Sequence, residues 1–400
     1  MKRDVVIVGS GQAGARVALD LRDAGFAGTI TLVGAEPHLP YERPQLSKEM
    51  LADSARPPQF IAEAQEWHTR EIELLLGHSL VDAEPDSRQL AIDDGRELTY
   101  GHLVLATGTA ARHCAELSGL AVPVHVMRTI EDAEAIRQRL PQGGKIVIVG
   151  GGIIGLEVAA AAIGTCDVTV LEAGTGLLQR AVPSQMAAHL ATLHGEKGVR
   201  FRYNARPISS SGHEIHLSDG SSETADLVVV GIGVEPQPGI AAMFGLPEDR
   251  PGLRVESSAM TERNGVLAIG DAAEQFSVCH DRWMRIETWA NANDQAAAAV
   301  ATLTGAPQPT PPTPWFWSDQ YDINFQVTGD AIGDSTVLRG DPTSGRFSVI
   351  ALRGDEIVGG ASVGMPKDIA ALRRIAGRGV ILPRTQIEDL SFNLRKAIPT

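Results

Sequence analysis

Asp4-Val5-Val6-Ile7-Val8-Gly9-Ser10-Gly11-Gln12-Ala13-Gly14 carries an apolar run straight into G-x-G-x-x-G. A short apolar run bounded by turn residues reads as a buried strand, and the pattern through Ala15 to Ala24 reads as a helix. Thr29-Ile30-Thr31-Leu32-Val33 supplies a second strand, with Glu36 just beyond it. In a dinucleotide-binding βαβ unit Gly9 makes the tight turn, Gly11 admits a pyrophosphate to the backbone, and Gly14 lets helix and strand pack closely. The helix N-terminus offers N–H groups to the phosphates, and a carboxylate placed like Glu36 accepts ribose hydroxyls.

The same pattern returns in Lys145-Ile146-Val147-Ile148-Val149-Gly150-Gly151-Gly152-Ile153-Ile154-Gly155, followed by a helix from Leu156 to Ile163, the strand Val168-Thr169-Val170-Leu171, and Glu172. Leu103-Val104-Leu105-Ala106-Thr107-Gly108 closes the first unit as Leu227-Val228-Val229-Val230-Gly231-Ile232-Gly233 closes the second. Both copies keep every glycine and both acids, so two dinucleotides are expected. A third strand, Gly265-Val266-Leu267-Ala268-Ile269, ends in Gly270-Asp271, and an aspartate so placed can bond a ribityl hydroxyl of a flavin.

The 400-residue length suits two or three domains. A composition of 43% hydrophobic and 21% charged residues fits a globular chain rather than a disordered one. The longest apolar stretch is broken by glycines and by Glu157, so no membrane span is expected. A net charge of −14 disfavours nucleic acid and anionic lipid as partners. The start at Met1-Lys2-Arg3-Asp4 leaves no room for a signal peptide, which points to the cytoplasm. Cys114, Cys166 and Cys279 lie far apart without C-x-x-C spacing, as expected of inert thiols in a reducing compartment. The eleven histidines form no metal-ligand pattern, so no metal is expected.

Pro40-Tyr41-Glu42-Arg43-Pro44-Gln45-Leu46-Ser47-Lys48, Ala106-Thr107-Gly108, Arg128-Thr129 with Glu131-Asp132-Ala133, and Trp317-Ser318-Asp319-Gln320 give the chain a closer likeness. It resembles, nearly end to end, the FAD-dependent NADH:ferredoxin reductases that serve bacterial Rieske oxygenases and cytochromes P450. The resemblance implies an α/β fold of glutathione reductase-like architecture: two Rossmann-like domains, for FAD and NAD, and an α+β C-terminal domain. It implies a discontinuous FAD domain over 1–112 and 238–310, an NAD domain over 113–237 and a C-terminal domain over 311–400. The proline-rich run 307–314 marks the last boundary, being stiff and unsuited to helix or central strand. Beyond it 324–328, 336–339, 347–352 and 356–363 read as strands and 368–376 as a helix.

By resemblance Gly9, Gly11, Gly14, Glu36, Arg43, Lys48, Thr107, Gly108, Arg128 and Asp271 face FAD, and Gly150, Gly152, Gly155, Glu157 and Glu172 face NADH. Val81, Ala106, Ile154, Gly233, Trp289 and Trp317 complete the cofactor-binding set. Lys48 is expected near flavin N5, Glu157 as its partner close to the nicotinamide, and Trp317 beside the isoalloxazine where an acceptor docks; these three form the catalytic set. A lone carboxylate in an apolar helix is costly to bury unless paired, which favours a partner for Glu157. Glu172 favours NADH over NADPH, since a 2′-phosphate would meet a carboxylate; Arg180, eight residues on, stands against that preference.

Disulfide reductases of this superfamily place redox cysteines shortly after the first acidic residue, whereas this chain has none before Cys114. Electrons are therefore expected to leave the flavin directly for a [2Fe-2S] ferredoxin, the reductase acting as a monomer or homodimer. Two alternatives stay open: an NADH reductase for rubredoxin or a small molecule, and an interaction module resembling apoptosis-inducing factor.

Overall fold

The computed structural model describes residues 4–52 and 56–398. The chain divides into two compact units. One comprises Met1–Arg43, Pro58–Ala110 and Glu235–Pro314; the other comprises Pro44–Pro57, Ala111–Val234 and Trp315–Thr400. The short segment Pro44–Pro57 thus clusters with the second unit although the flanking sequence belongs to the first.

The first unit is built on a five-stranded parallel sheet in the order Val266–Ala268, His102–Leu105, Val5–Val8, Ile30–Gly34, Ile72–Leu76. All four residues of the central strand Val5–Val8 are buried, the continuous apolar run of a sheet covered on both faces. Each such side chain contributes roughly 1.5–3 kcal/mol through burial. The helix Gln12–Asp23 lies against the helix Trp289–Thr304, with Ala15 and Ala18 in one buried cluster with Ala292, Ala296 and Ala299. The long helix starts where the Thr288 side chain accepts the Asn291 N–H at 3.1 Å.

The second unit repeats the plan. Its parallel sheet runs Arg200–Arg202, Asp167–Leu171, Lys145–Val149, Leu227–Val230, Val124–Val126. A five-stranded antiparallel sheet follows in the order Trp315–Gln320, Ile323–Gly329, Glu356–Val363, Arg346–Arg353, Ser335–Asp341. The helix Pro366–Ile375 packs Ile369, Leu372 and Ile375 into the core beneath it. Four of these strands and the helix coincide with the sequence-based expectation. The fifth strand, Trp315–Gln320, was not anticipated, because its turn, Tyr321-Asp322, lacks glycine or asparagine.

Helix Ile153–Ala162 explains its own composition. It packs on its parallel sheet and also on the strand Trp315–Gln320, so it is apolar nearly all round. Among the described residues no helix is long and apolar enough to cross a membrane.

Candidate functional site

The two glycine loops have matching geometry. Gly9 adopts φ 114, and a Cβ there would stand 2.1 Å from the Ala106 carbonyl oxygen. Gly150 adopts φ 111, and its Cβ would stand 2.4 Å from the Gly231 oxygen. A Cβ on Gly14 would stand 2.0 Å from Gly9 O and one on Gly155 2.2 Å from Gly150 O, so helix and loop meet only because side chains are absent.

Gly11 differs, since a Cβ there would meet nothing within 4 Å. The space beside the N-terminus of helix Gln12–Asp23 is open, as an incoming pyrophosphate requires. Gly152 is nearly as open, its nearest neighbour being Gly231 O at 3.8 Å. Both loops therefore fit a dinucleotide.

The acids that follow are already oriented. Glu36 receives the Arg43 guanidinium at 2.6 Å on one oxygen and the Tyr41 hydroxyl at 2.6 Å on the other. Glu172 accepts the Gly151 N–H at 2.9 Å and the Gly174 N–H at 2.7 Å, clamping the second glycine loop to its own strand end. Arg180 is exposed. Asp271 lies half-buried in the turn Gly270–Ala272, where the Gly270 N–H donates to Gln295 Oε1 at 2.6 Å. Ala106 is buried, Thr107 and Gly108 are half-buried at the end of the strand His102–Leu105, and half-buried Trp289 opens the helix Trp289–Thr304. Glu36, Asp271, Ala106, Thr107, Gly108 and Trp289 belong to the first unit, Glu172 and Arg180 to the second.

Lys48, Glu157 and Trp317 come together within the second unit. Glu157 lies on helix Ile153–Ala162 and is 2% exposed; its Oε1 is 3.0 Å from Lys48 Nζ and accepts the Ser318 hydroxyl at 2.5 Å, while Oε2 accepts the Ser47 hydroxyl. Burial pushes the Glu157 carboxyl above its ordinary range, against the pull of Lys48 and the two hydroxyls. Lys48 Nζ lies 5.8 Å from the centre of the Trp317 ring, which stacks on Trp315 at 5.5 Å, and the Arg373 guanidinium lies over the Trp315 ring at 3.9 Å.

Arg128 directly precedes a capping box the sequence reading missed. The Thr129 side chain accepts the Asp132 N–H at 3.3 Å, and Asp132 accepts the Arg128 and Thr129 N–H groups at 2.9 and 3.0 Å. The T-x-x-D pattern was there to be found. Val81, Ile154 and Gly233 are exposed, Val81 on the strand Leu80–Glu84 and Ile154 in the first turn of helix Ile153–Ala162. Cys166 and Cys279 are buried and Cys114 is half-buried, its thiol pushed up to about 11 chiefly by burial.

The family model described as pyridine nucleotide-disulphide oxidoreductase matches residues 3–296, and the reductase C-terminal model matches 315–398. The ferredoxin–NAD(+) reductase component of the p-cumate 2,3-dioxygenase system of Pseudomonas putida is 44% identical, over 98% of this chain and 97% of that protein. The corresponding component of the anthranilate 1,2-dioxygenase system of Burkholderia cepacia is 40% identical, over 98% of each. Putidaredoxin reductase, solved as a covalent complex with putidaredoxin, superposes with a TM-score of 0.94 at 35% identity, covering 99% of this chain and 98% of that one. The chain belongs to the pyridine nucleotide-disulphide oxidoreductase family, in its branch of ferredoxin reductases.

Proposed function

We propose that this protein is an FAD-containing reductase that draws electrons from NADH and delivers them to a small [2Fe-2S] ferredoxin feeding an oxygenase, either a Rieske dioxygenase or a cytochrome P450. The observation that carries this reading is the Ser47-Lys48 pair, fastened to buried Glu157 in the segment where disulfide reductases keep their thiols. With no cysteine before Cys114 a thiol relay is missing, and an acceptor must take electrons from the cofactor itself. Relatives at 44% and 40% identity are named for that acceptor, ferredoxin.

In this reading residues 1–112 and 238–310 hold FAD, 113–237 hold NADH, and 311–400 complete the acceptor side. Bound FAD would supply the redox chemistry, hydride acceptance from NADH and one-electron release, that no side chain of this protein provides. The chain's own residues bind, orient and set charge. The first loop's open N–H groups hold the pyrophosphate at the helix N-terminus, Glu36 accepts ribose hydroxyls, and Asp271 bonds the ribityl chain. Glu172 does for NADH what Glu36 does for FAD, and its carboxylate selects against a 2′-phosphate. Lys48 brings a positive charge whose position is fixed by Glu157, and a fixed charge in a site shielded from water needs no reorganisation during transfer. Trp317 covers Lys48 and faces the acceptor.

The free cysteines suit a reducing compartment, so the site of action is the cytoplasm. Steady-state reduction of a [2Fe-2S] ferredoxin with NADH and NADPH in parallel tests the reading. Turnover with NADH at a much higher kcat/KM than with NADPH is expected, and failure to reduce any ferredoxin with either would overturn it.

A further inference from the structure

Glu157 is the end of a longer chain of polar groups, all of it within the second unit. The Tyr321 hydroxyl lies 2.8 Å from His194 Nδ1, His194 Nε2 lies 2.7 Å from Gln320 Oε1, Gln320 Nε2 donates to Ser318 Oγ at 3.0 Å, and Ser318 Oγ donates to Glu157 Oε1 at 2.5 Å. His194, Gln320 and Ser318 are 0%, 1% and 0% exposed. Their neighbourhood is otherwise apolar, with Leu156, Leu190 and Phe325 in the same buried cluster. Buried polar groups cost about 1–3 kcal/mol each when unsatisfied, so apolar residues would fill the space at less risk.

The chain has one direction. An ionised carboxylate offers only lone pairs, so Ser318 must donate to it. The Ser318 oxygen then accepts from the Gln320 amide nitrogen, the amide oxygen faces His194, and Nε2 of the imidazole must carry the hydrogen. Nδ1 is left to accept from Tyr321. Reversing any link reverses all of them, and the reversed chain needs a proton on Glu157. The tautomer of His194 and the charge of Glu157 are therefore linked.

The far end is held in place at a cost. Tyr321 sits at φ 56 in the two-residue turn between Gln320 and Ile323, a left-handed backbone that a non-glycine residue adopts at about 1–2 kcal/mol. Its ring packs edge-on to His194 at 4.9 Å, and Lys197 Nζ lies over the ring at 5.6 Å. Lys48 is the charged group at the Glu157 end, and Lys197 the one at the Tyr321 end. Burial keeps His194 below its ordinary range and so neutral near pH 7.

We propose that His194 is a positioning residue for flavin reduction: held as its Nε2–H tautomer by Tyr321, it aligns Gln320 and Ser318 so that Glu157 stays ionised and Lys48 stays paired. This rests on the reading of Lys48 and Glu157 as the pair that serves hydride transfer between NADH and FAD.

Nitrogen-15 NMR of histidine-labelled, flavin-loaded protein reads the tautomer directly, with the His194→Gln spectrum identifying the resonance. A neutral Nε2–H imidazole from pH 6.5 to 8.5 is expected, and an Nδ1–H tautomer there would overturn the inference. Anaerobic stopped-flow gives the second readout. His194→Phe, which keeps a ring but no donor, is expected to lower the limiting rate of flavin reduction about tenfold, on the scale of one lost hydrogen bond, with the NADH Kd nearly unchanged. His194→Gln, which keeps a donor toward Gln320, is expected to recover most of that rate. Should His194→Phe fail to fold, Ser318→Ala, which removes one oxygen beside Glu157, carries the same expectation. Wild-type rates in these variants would reduce the chain to packing and overturn the inference while the reductase reading stands. A wild-type flavin that NADH fails to bleach would overturn both.

Discussion

Lys48 Nζ stands 3.0 Å from Glu157 Oε1, and the Glu157 side chain is wholly out of solvent while Lys48 keeps 10% exposure. Such a pair is a weak source of net stability, because desolvation offsets most of the attraction, but breaking it is costly. Two adjacent hydroxyls complete the carboxylate's shell and, with Lys48, oppose the cost of burying it in a helix that is otherwise apolar.

Lys48→Ala leaves that carboxylate buried without its cation. Urea denaturation should show a loss of about 3 kcal/mol, together with slower flavin reduction. Stability equal to wild type would mean that Ser47 and Ser318 alone satisfy Glu157.

Gly11→Val and Gly14→Val should part company. A Cβ at position 11 would meet nothing within 4 Å, so the variant is expected to fold but to purify colourless, the pyrophosphate position being filled. A side chain at position 14 would stand 2.0 Å from Gly9 O, and that variant should be insoluble or grossly destabilised. Yellow Gly11→Val protein would contradict the placement.

Glu172→Ala removes a ribose acceptor and also the clamp on the Gly151 and Gly174 N–H groups. KM for NADH is expected to rise about tenfold, the scale of one or two lost hydrogen bonds, with kcat little changed. The preference over NADPH should shrink as well. An unchanged KM would remove Glu172 from the nucleotide site.

Much of this was legible in the sequence, and the limits have physical causes. The glycine loops, both acids and both parallel sheets follow from short-range patterns, since an apolar run, a turn and a helix start leave local marks. A lone acid in an Ala/Val-rich helix demands a partner, which was legible for Glu157, but that the partner is Lys48 came only from the family resemblance. The strand Trp315–Gln320 was missed because its turn uses Tyr321, a residue with no turn preference, in a left-handed backbone. His194 carried no signal at all: one histidine among eleven, it gains meaning only from groups more than a hundred positions away.

The buried imidazole also makes a prediction about pH. His194 has its folded-state pKa below the ordinary 6.5, so the unfolded chain takes up its proton first as pH falls. Stability from this group is complete above pH 6.5 and declines as pH drops from there toward the depressed folded value. His102 and His189 are shifted the same way, so the wild-type Tm should fall below pH 6.5 with several contributors. His194→Gln should make that fall shallower; an identical slope would place His194 in contact with water.

The most direct test of the account is anaerobic stopped-flow absorbance of the flavin-loaded protein, first mixed with NADH and then, once reduced, with a panel of [2Fe-2S] ferredoxins and rubredoxin. The account predicts rapid bleaching by NADH, followed by reoxidation by a ferredoxin and not by rubredoxin. Bleaching that no iron–sulfur protein reverses would contradict it and move the acceptor to a small molecule.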